Sequence, residues 1–186
     1  LSLSLKYDFA LYHDLKGIGM WALGYDGTNP ELWELLYAKF SGGAAPNSPH
    51  NLSIINTGNG TIKIDFSGAD GAEEFIVLRD YLEFENDSDT LGVFPESPII
   101  IDGLTEGEPY FLTVVAKNIF GNSDPTEMLG VVPTTGDVSC LIVNGFDRMA
   151  GTNNTFDFIR QHGSALHTAG YSFNTASNEA VINGNI

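Results

Sequence analysis

Asp102-Gly-Leu-Thr-Glu-Gly-Glu-Pro-Tyr-Phe-Leu-Thr-Val-Val-Ala-Lys-Asn-Ile-Phe-Gly-Asn-Ser-Asp124 decides the fold. Thr105-Glu106-Gly107-Glu108-Pro109 has the composition of a turn. After it, Tyr110, Leu112, Val114 and Ala116 fall on one face, and Phe111, Thr113, Val115 and Lys117 on the other. Period two over this length predicts a β-strand, because successive side chains leave opposite faces of the pleat. Asn118 to Gly121 forms a second turn. A leucine, a glycine-containing turn and a tyrosine heading a strand is the sequence form of a tyrosine corner, in which the phenol bonds backbone across the corner of a sandwich.

Further strands are expected on both sides at sandwich spacing: Asn51–Asn56, Thr61–Phe66, Phe75–Asp80, one within Tyr81–Phe94, Pro98–Asp102 and Met128–Val132. Ile62, Ile64 and Phe66 alternate as an inward face. The corner, together with Ala116, Asn118, Gly121 and Ser123 in an Ala-x-Asn-x-x-Gly-x-Ser pattern, resembles a fibronectin type III module. Phe66 departs from that family near where it usually carries tryptophan. The resemblance implies a mainly β protein, with an immunoglobulin-like sandwich over residues 46–133 and partial α/β segments on either side. Nothing in this stretch suggests catalysis; its expected work is spacing, covering a neighbouring domain, or weak carbohydrate binding. Glu83-Phe-Glu-Asn-Asp-Ser-Asp89 offers clustered carboxylates of the kind calcium takes, but it has neither the glycine nor the closing glutamate of an EF-hand loop. A solvated acidic loop is the preferred expectation there, and no cofactor is expected.

Residues 1–45 read as helix, strand, loop, helix. Leu3, Leu5, Tyr7, Phe9, Ala10, Leu11 and Leu15 suggest an amphipathic helix with Lys6, Asp8 and Asp14 toward water, ended by Gly17. Ile18 to Leu23 has strand length. Asn29 caps a second helix with Pro30 at its first position, and Leu32, Leu35, Leu36 and Phe40 form its apolar face. Ser4 to Asp8, Gly17-Ile-Gly-Met-Trp-Ala-Leu-Gly-Tyr-Asp26 and Pro30-Glu-Leu-Trp33 together resemble the end of a family-18 glycoside hydrolase (chitinase-like) barrel. The resemblance implies that Trp21 floors a sugar subsite, with Tyr25 and Asp26 just beyond the strand end. An indole face suits the C–H face of a pyranose, although Trp21 as plain core and Asp26 as a loop cap stand beside it. That family cleaves with an acidic D-x-x-D-x-D-x-E motif, which is missing here. Hydrolysis needs a proton donor and a partner to stabilise the cation, so this chain alone is expected to be inactive.

Residues 134–186 open like an open α/β domain. Val138 to Val143 reads as a buried parallel strand containing Cys140 as an inert thiol. Thr155 to Ala169 reads as a helix stopped by Gly170, and a second strand is expected near Ala180. Ligands in such sheets bind beyond strand C-termini, which singles out Asn144, Asp147 and Arg148, with His162, Ser177, Asn178 and Glu179 as further polar candidates. A local Asp147–Arg148 ion pair is the plainer alternative. His162 and His167 are five apart and so are not the i, i+4 pair of a zinc helix. Val143-Asn-Gly-Phe-Asp-Arg148 and Asn154-x-Phe-Asp-Phe158 resemble secreted bacterial proteins with fibronectin type III modules before an amidase-like or lyase-like domain.

The 186 residues hold 24 acidic and 8 basic side chains, a formal charge of −16. Such a surface repels phosphate backbones and argues against nucleic-acid binding. One cysteine precludes an intrachain disulfide. No apolar run approaches the ~20 residues of a membrane span. No signal peptide stands at Leu1, and both ends lie in patterned sequence, which is what a fragment would show. The expected whole is a non-catalytic part of a secreted or cell-surface bacterial protein acting on polysaccharide or peptidoglycan, with neighbouring domains of the same polypeptide as its partners. An enzyme completed by the C-terminal cluster, and a carbohydrate-binding or adhesion module, are the alternatives.

Overall fold

Strands form where apolar and polar side chains alternate, and the computed structural model of the chain describes residues 2–19, 30–40, 43–79, 89–145 and 158–186. In chain order the helices are α1 (Ser2–Tyr12), α2 (Pro30–Phe40), α3 (Phe158–Thr168) and α4 (Asn178–Asn183). The strands are β1 (Pro49–Gly58), β2 (Thr61–Gly68), β3 (Glu74–Arg79), β4 (Asp89–Phe94), β5 (Ile99–Ile101), β6 (Tyr110–Asn118), β7 (Gly121–Asn122), β8 (Leu129–Val131), β9 (Cys140–Asn144) and β10 (Phe173–Ser177). One sheet runs β5-β2-β1-β10-β9. The other runs β4-β3-β6-β7, with β8 also paired to β6. The chain is therefore mainly β, a two-sheet sandwich with helical segments attached.

The core lies between the sheets. Ile54, Ile62, Ile64, Val77, Leu112 and Val114 are fully buried there. Burial of each such side chain contributes about 1.5–3 kcal/mol. Phe66 fills its place in the core by packing tilted on Phe75, with ring centroids 4.8 Å apart. The corner forms as the sequence expects: the Thr105 N–H donates to the Tyr110 hydroxyl at 3.0 Å. Arg79 stacks 4.3 Å above the same ring and pairs with Glu108.

Both faces of β6 are buried from Tyr110 to Ala116. Phe111, on the alternate face of β6, belongs to the same buried core and is covered by the C-terminal segment. Gly163 of α3 approaches it closely, and its ring lies 6.4 Å from that of Phe173.

That segment continues the sandwich. Strand β10 pairs antiparallel with β1, setting Ser53 against Ala176 and Ile54 against Thr175. Strand β9 then pairs parallel with β10. Thr175 closes the gap between the sheets, because its hydroxyl accepts from the Gly130 N–H at 2.9 Å and donates to the Gly130 carbonyl at 2.6 Å.

Three sequence expectations need correcting. The strand expected near Ala180 lies earlier, at Phe173–Ser177, and Ala180 is helical. Ser177 caps α4 by accepting from the Ala180 N–H at 3.1 Å, and Gly184 closes the helix at φ 71. The capping serine, with Glu179 in the first turn, outweighs the apolar Ala-Val-Ile run. The first helix is also not one-sided: Leu5, Phe9 and Leu11 are exposed while Tyr7 and Ala10 are buried. Ile18 and Gly19 are not in a strand, and the rest of the expected Ile18–Leu23 strand lies outside the described residues.

Candidate functional site

The C-terminal ends of the parallel pair β9 and β10 bring Asn144 beside Ser177 in register. Alternation along β9 turns Cys140, Ile142 and Asn144 one way and exposes Leu141 and Val143 on the other face. Cys140 is half-buried against the core. The Asn144 amide nitrogen donates to the Glu127 carboxylate, which the sandwich supplies just before β8. Met128, the next residue, receives the Arg160 guanidinium at 3.5 Å, and that guanidinium also lies 5.3 Å from the Phe111 ring centroid.

The other sequence candidates separate. Asp147 and Arg148 lie outside the described residues. The Ser177 hydroxyl is engaged in capping α4 and is buried. His162 stacks on Phe158, with centroids 6.4 Å apart. His167 Nε2 meets the Gly107 carbonyl at 2.8 Å, tying α3 to the turn before β6. Glu127 was not singled out from sequence, since a glutamate in a turn carries no spacing signal; only the fold brings it to Asn144.

On α2, Trp33, Leu36, Tyr37 and Phe40 line an open depression of about 460 Å³. The Tyr37 ring lies 5.8 Å from Phe120, at the turn after β6. Trp33 and Tyr37 stand one turn apart, so their spacing alone places both rings on one helix face. Trp21, Tyr25 and Asp26 lie outside the described residues, as do Glu83 to Ser88 of the acidic loop. Asp89 opens β4 opposite Arg79. Among the described residues, no group of three or more histidine, cysteine or carboxylate side chains is arranged to hold a metal. Asp65, Glu74 and Asp8 are paired with Lys63, Lys117 and Lys39.

No family model and no curated protein matches the sequence. Among solved structures, the chain is similar to the crystal structure of FN3tt, with 14% identity and a TM-score of 0.44 over 50% of this chain and 100% of that one. It is similar to the fibronectin type-III domain of human fibronectin type III domain containing protein 3, with 17% identity and a TM-score of 0.43 over 52% of this chain and 94% of that one. The FN5 domain of Drosophila Lar is 17% identical with a TM-score of 0.40, over 49% of this chain and 99% of that one. These likenesses concern the fold of about half the chain. The two sheets and the tyrosine corner make the fold an immunoglobulin-like β-sandwich. No helix among the described residues is long and apolar enough to cross a membrane.

Proposed function

We propose that this chain is a non-catalytic part of a secreted or cell-surface multidomain hydrolase acting on polysaccharide or cell wall. Its sandwich, residues 46–133, is a spacer that fixes the segments on either side. The observation that carries this reading is the Asn118 side chain. Its nitrogen donates to the carbonyls of Ala44 and Gly71, each at 3.0 Å, and its oxygen accepts from the N–H groups of Phe120 and Gly121. One side chain thus joins the incoming linker to two turns of the sandwich. At the outgoing side, Asn56 holds both the N–H and the carbonyl of Thr134, at 3.0 and 2.9 Å. A spacer that holds its neighbours in fixed geometry needs such anchors at both junctions, because an unanchored linker would let the domains swivel. In this reading residues 1–45 close a chitinase-like barrel, in which Trp21, Tyr25 and Asp26 contact sugar. Residues 134–186, whose β9 and β10 join one sheet of the sandwich, lead into an α/β domain of the parent in this reading.

A second reading is favoured by the Asn144–Glu127 contact at the end of the parallel pair. There Asn144, Asp147 and Arg148 belong to an amidase or glycosidase site completed by further residues. The two readings separate in an activity screen of the chain on chitin oligosaccharides, peptidoglycan and acidic polysaccharide. The spacer reading expects no turnover on any of them, and turnover by the chain alone would overturn it.

A further inference from the structure

One sheet ends on the parallel pair β10 and β9, and among the described residues no strand pairs with the far edge of β9. The two helices of the C-terminal segment lie on opposite faces of that pair. Ile54 and Thr175 face the core, and so does Phe173. Helix α3 is on their side, since a Cβ at Gly163 would stand 2.6 Å from the Phe173 ring. Ser53 and Ala176, one residue along, face the other way and are still fully buried. Helix α4 packs on β1 and β10 there. Asn183 and Asn185, at its end and just beyond, donate to the side chain and backbone carbonyl of Asn51 at 2.8 and 3.0 Å.

Helices on alternate faces fix the direction in which a sheet grows. A crossover between parallel strands is right-handed. From β9 to β10 the chain moves toward β1 with α3 on the core side. A second crossover of the same hand, leaving β10 on the opposite face, moves the other way, back past β9. The place on the β1 side of β10 is already filled. We propose that a further parallel strand of the same polypeptide, in the residues that follow Ile186, pairs with the free edge of β9. Strand β9 is then an interior strand. Leu141 and Val143 suit that place: they face away from the core, are 45% and 41% exposed, and a parallel sheet is normally covered on both faces.

Across the sheet, the three parallel strands then stand in the chain order second, first, third. Ligands of open α/β sheets bind beyond the strand C-termini, in the crevice where the strand order reverses. Here that crevice opens between β9 and the new strand. Asn144, the last residue of β9, borders it and is held by Glu127 of the sandwich. Ser177, at the matching end of β10, lies on the other side of β9, and its hydroxyl is engaged in capping α4. This placement rests on the reading of residues 134–186 as the lead into an α/β domain, and adds where the next strand sits and where the crevice opens.

Amide hydrogen exchange over Cys140–Asn144 tests it, in this chain and in the parent polypeptide continued past Ile186. The N–H groups of a strand point alternately to its two edges. In this chain, the β9 amides turned away from β10 should exchange at least about a hundredfold faster than those bonded to it. In the parent the same amides should slow by at least about a hundredfold and match their neighbours. A parent whose α/β domain folds but leaves those amides fast would overturn the proposal alone and leave the reading of residues 134–186 standing. A parent with no parallel strand after Ile186 would overturn both. Amides already slow on both edges of β9 in this chain would show that the edge is filled from within, and would also overturn the proposal.

Discussion

Thr175 is the residue on which the attachment of the C-terminal segment turns. It is fully buried, and its hydroxyl serves both backbone groups of Gly130 in the opposite sheet. Threonine to valine keeps the shape and removes the oxygen, leaving a buried N–H and a buried carbonyl without this partner. Each buried orphan costs about 1–3 kcal/mol. Thr175→Val should therefore lower the urea midpoint by an amount matching a loss of at least about 2 kcal/mol, with the denaturant slope unchanged. An unchanged midpoint would mean that the Thr175 hydroxyl does not join β10 to β8 across the two sheets.

Residues of this kind explain what could and could not be read beforehand. Tyr110 announces its role because a tyrosine after a leucine and a glycine turn has one well-known structural use. Asn118, Gly121 and Ser123 are legible as a motif, and the structure supplies the reasons. Gly121 sits at φ 145, and Ser123 bonds Ala116 through both its N–H and its side chain. Thr175 and Glu127 are silent in sequence, because their partners lie 45 and 17 residues away and no local pattern marks them.

At the level of elements, the sandwich strands were legible and the joining of the C-terminal unit was not. Alternation of Ile62, Ile64 and Phe66 is a local signal for a half-buried strand. Phe173-Asn-Thr-Ala-Ser177 alternates too, but its inward positions include Thr175 and Ser177, so a hydrophobic pattern does not reveal it. Period alone also cannot say which free edge a strand will join. Strand β10 takes the edge of β1, and helix α3 then packs against β8, β9 and β10.

Gly163 makes that seat possible. A Cβ there would stand 2.6 Å from Phe173 and 3.1 Å from Phe111. Alanine normally favours a helix over glycine by about 1 kcal/mol. Here the ring it meets is itself fully buried and has no free space to enter. Overpacking of this kind costs about 1–3 kcal/mol, enough to reverse the sign. Gly163→Ala should lower the melting temperature, and a rise would show that α3 sits further from β10.

For the whole molecule, charge is the governing quantity. The formal charge of −16 is spread over 24 acidic and 8 basic residues, so most carboxylates have no cation to meet. Lys63–Asp65, Lys117–Glu74 and Lys39–Asp8 are all partly exposed pairs. Each such pair contributes about 0–1 kcal/mol and is weakened by salt. Repulsion among the remaining carboxylates acts over longer distances and opposes the compact state. Salt screens both effects, with a Debye length of about 10 Å at 0.1 M and about 3 Å at 1 M. The two therefore pull stability in opposite directions as salt rises. The repulsive set is the larger, because acidic residues outnumber basic ones threefold. Raising sodium chloride from about 0.02 M to about 0.5 M should accordingly raise the melting temperature of the chain. Differential scanning calorimetry across the salt series reads the effect directly. A melting temperature that falls with salt would show that the exposed ion pairs outweigh the net charge in holding the sandwich together.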